Sequence, residues 1–150
     1  MFVYGQTAAN AIAVMSYLAA EPSRRTGSAE IAEARNISRA LTAKLLTQLA
    51  AARLVRGQPG PGGGYMLAKD PAEISLFDIA SLFEQVSLPD ICPFGHGWCG
   101  KGDPCPLHYA IQNLLDVNKG FMHDTKLSVF LHKMKSENGC VSALSSSPRL

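Results

Sequence analysis

The chain has 150 residues, 47% of them hydrophobic, and a formal net charge of +2, which suits one globular domain with an appendage. No run of eighteen apolar residues occurs, which excludes a membrane-spanning helix, and the opening MFVYGQTAANAIAVMSYLAA lacks the basic start of a secretory signal, so the expected location is the cytoplasm with no membrane partner. Charge is unevenly placed: residues 1–70 hold eight Lys/Arg against four acids, and residues 71–150 hold six against eight, so the first half suits either a polyanionic partner or a solvated basic face.

Residues 6–20 read as a helix, because Ala8, Ala11, Ile12, Met15, Leu18 and Ala19 follow helical spacing. Pro22 and Gly27 end it. Ser28 is the expected N-cap of a short helix, SAEIAEAR, with Glu30 in its first turn. Asn36 tolerates the left-handed region, and Ser38 is placed to cap a longer helix running to about Ala52. In that helix Leu41, Leu45 and Leu49 form one apolar edge, with Arg39, Ala43 and Thr47 opposite. Two helices joined by a tight turn suit a helix-turn-helix, although many helical hairpins look similar.

Residues 53–70 favour the helix-turn-helix. RLVRGQ and GYMLAKD are short strand candidates joined by a glycine-rich segment, which makes a winged helix. The glycines would let the wing tip turn sharply and bring backbone N–H groups close to a phosphate. Tyr65 would pin the returning strand to the core. The other reading of the segment is a flexible loop.

SLFDIASLFEQV, residues 75–86, is an amphipathic helix candidate with a capping box between Ser75 and Asp78. After an irregular Pro- and Gly-rich stretch, Leu107, Ile111, Leu114 and Phe121 recur near heptad spacing, interrupted by Asn118. A long helix with a narrow apolar seam suits self-association, or else packing against its own chain. A second helical piece near 125–134 carries Leu127, Phe130, Leu131 and Met134, and the tail 136–150 is expected to be disordered. The organisation is therefore residues 1–86 as winged helix, 87–106 as a cysteine-rich loop, 107–135 as dimerisation helices, and the tail.

Three of the four cysteines cluster, in the pattern Cys92-x6-Cys99-x5-Cys105-x2-His108. Thiolates are soft ligands for zinc, copper(I) or iron–sulfur clusters. Zinc sites usually use short clips, which are absent here; wide spacings suit a cluster, whose irons are spread out, while zinc and free thiols stay open. His96 could compete as a ligand, Trp98 could shield the site, Cys140 is expected to be a bystander, and His123 and His132 are expected to face solvent. No C-x-x-C pair is present, which argues against a thiol-redox enzyme or electron carrier.

Together these motifs resemble the Rrf-type winged-helix repressors over about residues 1 to 135. GPGGGYMLAKD resembles the family's wing signature, ISRALTAKLLTQLAAARLVRG its recognition helix and first wing strand, and Cys105-Pro-Leu-His108 the ligand pair of its IscR-like branch. The resemblance implies a mainly α fold with a small β-wing and a long dimerisation helix. It also implies a homodimeric transcriptional regulator, not an enzyme, acting as a repressor on a palindromic double-stranded DNA operator. Arg39, Thr42 and Lys44 would lie at or near the major groove, with Ser28 and Ser38 on phosphates; Arg56, Gln58, Gly62 and Gly63 would follow the adjacent backbone or minor groove. Cys92, Cys99, Cys105 and His108 would hold an iron–sulfur cluster, with 2Fe–2S favoured and 4Fe–4S the alternative. An NsrR-like carboxylate ligand from the first helix has no counterpart, since Ala8, Ala9 and Asn10 stand there and no acid precedes Glu21. Pro59 replaces the arginine usual before the wing glycines, and the gap between the first two cysteines is one residue longer than usual.

Overall fold

The computed structural model describes residues 4–84 and 104–131. The expectations for Cys92, His96, Trp98, Cys99, His132, Met134, Cys140 and the tail lie outside those residues.

Helix α1 spans Gln6–Ala20, as its spacing requires, and all six of its expected apolar positions are buried. Helices α2 (Ser28–Ala34) and α3 (Arg39–Ala51) pack together beside it. Asn36 turns the chain between them in the left-handed region, at φ 51°. Strands β1 (Val55–Gln58) and β2 (Gly64–Leu67) form one antiparallel hairpin, with Val55 opposite Leu67 and Gln58 opposite Gly64. Helix α4 (Leu76–Ala80) and the long α5 (His108–Asp124) complete the helices, and a 3-10 turn at Leu127–Phe130 closes the described chain.

A single core joins these elements. Met15 and Leu18 of α1, Ile31 of α2, Leu45, Leu46 and Leu49 of α3, and Ile74, Ile79, Met122 and Leu127 are all buried. Each such side chain contributes about 2 kcal/mol of burial. A polar seam docks α2 on α1. The Tyr17 hydroxyl donates to Glu30 at 3.0 Å, and the Arg35 guanidinium lies 5.3 Å from the Tyr17 ring centroid and donates to Ser16 at 3.0 Å. Burial, then the Glu30 carboxylate, raises the Tyr17 phenol, while burial lowers Arg35.

Four expectations are corrected. Ser28 is the first residue of α2, not its cap; Gly27 holds that position, directly after Thr26, which bridges to Tyr65. The helix expected over 75–86 is regular only to Ala80. Beyond it, Leu82 and Phe83 donate to carbonyls three residues back, a tighter turn, and the Glu84 carboxylate accepts from Gly5 N–H at 2.8 Å. Of the piece near 125–134, the described part is a 3-10 turn over Leu127–Phe130, just after Lys126 bridges to Ser75. His123 is half-buried rather than solvent-facing, its ring stacked on Phe77 at 3.9 Å. The Ser75–Asp78 capping box forms as expected. Burial raises the Asp78 carboxyl, but the Ser75 hydrogen bonds and nearby Lys126 and Lys69 outweigh it, so the net shift is downward.

Candidate nucleic-acid interface and cysteine site

Helix α3 has two faces. Thr42, Leu45, Leu46 and Leu49 are buried, which is the i, i+3, i+4, i+7 stripe of a core-facing helix. Ala40, Ala43, Lys44, Thr47 and Gln48 are exposed on the other side, with Arg39 exposed at the N-terminal end. Thr42, expected at the groove, is instead 0% exposed, and its hydroxyl has no hydrogen-bond partner among the described residues. Its polar type misleads; helical register puts it with the leucines. Gln48 is an addition that the sequence reading lacks, although it lies one turn beyond Lys44 on the same open face. The Ser38 hydroxyl accepts from Leu41 N–H at 3.2 Å, so it caps α3 as expected and sits exposed at the helix's electropositive end.

The wing owes its shape to glycine for reasons beyond flexibility. Gly60 and Gly62 have φ of +95° and +70°. A Cβ on Gly63 would collide with the Gln58 carbonyl. The Gly63 amide donates to the Gly60 carbonyl at 2.9 Å, so it closes the turn rather than standing free for a phosphate. Gly64 combines φ +141° with a Thr26 backbone that would lie 2.9 Å from any Cβ. That close approach is the Thr26–Tyr65 bridge, whose two N–H···O bonds are 2.9 and 2.8 Å. Tyr65 lies against the core and over Gly57, its partner across the hairpin. Gly64→Ala is therefore expected to destabilise the protein by about 1–3 kcal/mol, seen as a lower Tm. An unchanged Tm would show that the bridge yields without cost.

Arg56 and Gln58 are exposed and share one face of β1. Arg25, which no sequence motif singles out, donates to the Gln58 side chain.

Of the cysteine site, Cys105 and His108 are described. Cys105 lies in the turn ahead of α5, not on the helix, and its carbonyl accepts from His108 N–H at 2.9 Å. Its thiol is half-buried and forms no disulfide among the described residues. The His108 imidazole is also half-buried and meets the Tyr109 ring edge-to-face at 5.2 Å. A thiolate and an imidazole three residues apart suit an iron–sulfur centre or zinc. The described residues contain no cluster of three metal-ligating side chains, so any such centre draws its other ligands from outside them.

Helix α5 carries the third feature. Met122 is its only buried residue, whereas Leu107, Tyr109, Leu114, Val117 and Phe121 are 45–76% exposed.

A family model described as "Iron-dependent Transcriptional regulator", Rrf2, matches residues 4–133. The HTH-type transcriptional regulator IscR of Cronobacter sakazakii is 31% identical over 107 residues, covering 71% of this chain and 65% of that protein. Among solved structures, CymR, the global cysteine regulator of B. subtilis, superposes with TM-score 0.73 at 23% identity, covering 87% of this chain and 97% of that one. IscR of T. potens gives TM-score 0.64 at 20% identity, covering 83% and 82%. At these identities the structural likenesses show the winged-helix fold. No helix among the described residues is long and apolar enough to cross a membrane.

Proposed function

Because the chain belongs to the Rrf2 family of DNA-binding transcriptional regulators, and so is not an enzyme, we propose that it is a homodimeric repressor whose operator affinity is set by an iron–sulfur cluster. The observation that carries the DNA half is the open face of α3 beside a glycine-shaped hairpin that exposes Arg56. Lys44, Gln48 and Arg39 face outward from α3, where they suit base edges in the major groove. Ser38 and the first turn of α3 suit a phosphate. Arg56 and Gln58 suit the backbone beside the wing. The exposed apolar seam of α5 suits a second copy.

The cluster half rests on donor chemistry. Cys105 and His108 would supply one thiolate and the single imidazole, with Cys92 and Cys99 completing the set. When bound, the cluster supplies a redox- and nitric-oxide-reactive centre. The chain's part is to join it to the reading heads, since Cys105 lies in the turn that leads into α5, the helix that would set their spacing, and His108 is the first residue of that helix. A state of the site shifts DNA affinity only as far as it favours one arrangement over the other. A second reading, a thiol sensor without a cluster, rests on the half-buried position of the Cys105 side chain; a zinc site is the third.

The test is purification without oxygen, with a visible spectrum, iron, sulfide and zinc assays, and selection of duplexes from genomic DNA. A coloured protein enriching a palindrome supports the reading whole. A colourless zinc or metal-free protein that still enriches one overturns the cluster alone. No enrichment overturns the regulator reading.

A further inference from the structure

We propose that Arg25, which lies outside both the helix-turn-helix and the hairpin, is part of the DNA interface, and that with Arg56 it forms a seat for one backbone phosphate beside the wing. This rests on the regulator reading above and adds a site to it.

The first observation is connectivity. Thr26 bridges Tyr65, so the segment before α2 runs along the outer edge of β2 as a third, one-residue strand. The Arg25 side chain then crosses to β1 and donates to the Gln58 amide oxygen. Gly64 stands opposite Gln58 and has no side chain to block that path. Arg25, Arg56, Gly57, Gln58, Gly64 and Met66 line one open cleft. Arg56 and Gln58 enter it from the same face of β1.

The second observation is charge. Neighbouring Arg24 is neutralised within the chain, with Glu30 at 2.8 Å and Glu21 at 3.9 Å. Neither Arg25 nor Arg56 has a carboxylate within 4 Å among the described residues. Asp70 and Glu73 border a groove that also touches Arg56, but form no ion pair with it. The cleft therefore concentrates two guanidinium charges and no acid. Two exposed arginines held on a braced sheet are a favourable anion seat, because the bracing is done before binding and guanidinium N–H groups match phosphate oxygens. Arg25 spends one N–H on Gln58 and keeps the rest. The cleft lies beside the wing, so the anion that reaches it when α3 is in the major groove is a DNA phosphodiester.

A phosphate contact positions the protein without reading sequence, which makes the test specific. Fluorescence anisotropy is measured on the full chain, purified without oxygen, with a selected operator duplex and an unrelated duplex, from about 50 to 200 mM salt. Because a dimer carries two such seats, Arg25→Ala is expected to weaken binding to both duplexes by about a hundred-fold and to flatten the salt slope by about 1.8. Arg25→Lys keeps the charge and most of the slope. In a scan of single methylphosphonates, one position weakens the wild type but not Arg25→Ala. Both variants should melt like the wild type, since the Thr26–Tyr65 bridge is backbone only. Wild-type binding with an unchanged Arg25→Ala overturns this inference alone, as does a loss confined to the operator, which would make Arg25 a base reader. A wild type that binds neither duplex overturns the regulator reading, and this inference with it.

Discussion

Leu114→Glu is expected to convert the protein to monomers in sedimentation and to weaken operator binding by about a hundred-fold or more. Leu114 is 55% exposed in the middle of α5, on one face with Leu107 at 45%, Val117 at 64% and Phe121 at 49%. Monomers rarely leave so long an apolar stripe in water. A two-fold dimer would place each seam against its own copy, so one substitution puts two carboxylates into the same interface. Each lost Leu forfeits about 2 kcal/mol of burial, and each buried charge adds a desolvation penalty. Operator binding falls with the dimer, because one protomer reads one half-site and the second half-site lies about 34 Å away. The fold itself should survive. Met122 is the only residue of α5 in the described core, and Glu is a good helix former. A Leu114→Glu protein that remains dimeric would place the interface elsewhere.

Where local pattern decides structure, the sequence is readable. The apolar spacing of α1 predicts both of its ends, Asn36 predicts the turn it makes, and Ser38 and Ser75 predict the caps they form. The hairpin is legible because glycine clusters where φ must be positive. The failures come from contacts distant in sequence. Thr26 pairs with Tyr65, thirty-nine residues on. That pairing makes Gly64 obligatory and aims Arg25 at Gln58, and no local pattern announces it. The Ser75–Lys126 bridge is another such long-range contact, and a 3-10 turn follows it at Leu127–Phe130. Thr42 is a different failure. Its hydroxyl suggests a groove reader, while its position three residues before Leu45 and seven before Leu49 demands the core; register outweighs residue type. The candidate metal site is legible as chemistry, through thiolates and an imidazole with no clip. Its geometry is described only at Cys105 and His108.

Those two residues carry the last expected result. Alanine at Cys92, Cys99 or Cys105 should each strip iron and visible absorption from protein purified without oxygen, while Cys140→Ala and His96→Ala should keep both. For Cys105 the cause can be assigned to the ligand rather than to folding. The turn before α5 is closed by the Cys105 carbonyl and the His108 amide at 2.9 Å, both backbone groups that alanine retains. The half-buried Cys105 side chain is outside the described core, so a small change in Tm is expected with a complete change in colour. His108 should behave differently. Imidazole binds as a neutral ligand and leaves the centre less negative than a fourth thiolate, so it should hold the reduction potential higher. His108→Cys should therefore keep a cluster of lower potential, and His108→Ala should leave one that decays quickly in air. The competing sensors separate in the same series. Zinc gives a colourless wild type whose metal is lost on changing Cys105. A thiol sensor gives a metal-free wild type in which Cys105→Ala removes the response to oxidants and His108→Cys restores nothing. A coloured Cys105→Ala protein, or loss of the cluster in His96→Ala with retention in His108→Ala, would overturn the ligand set.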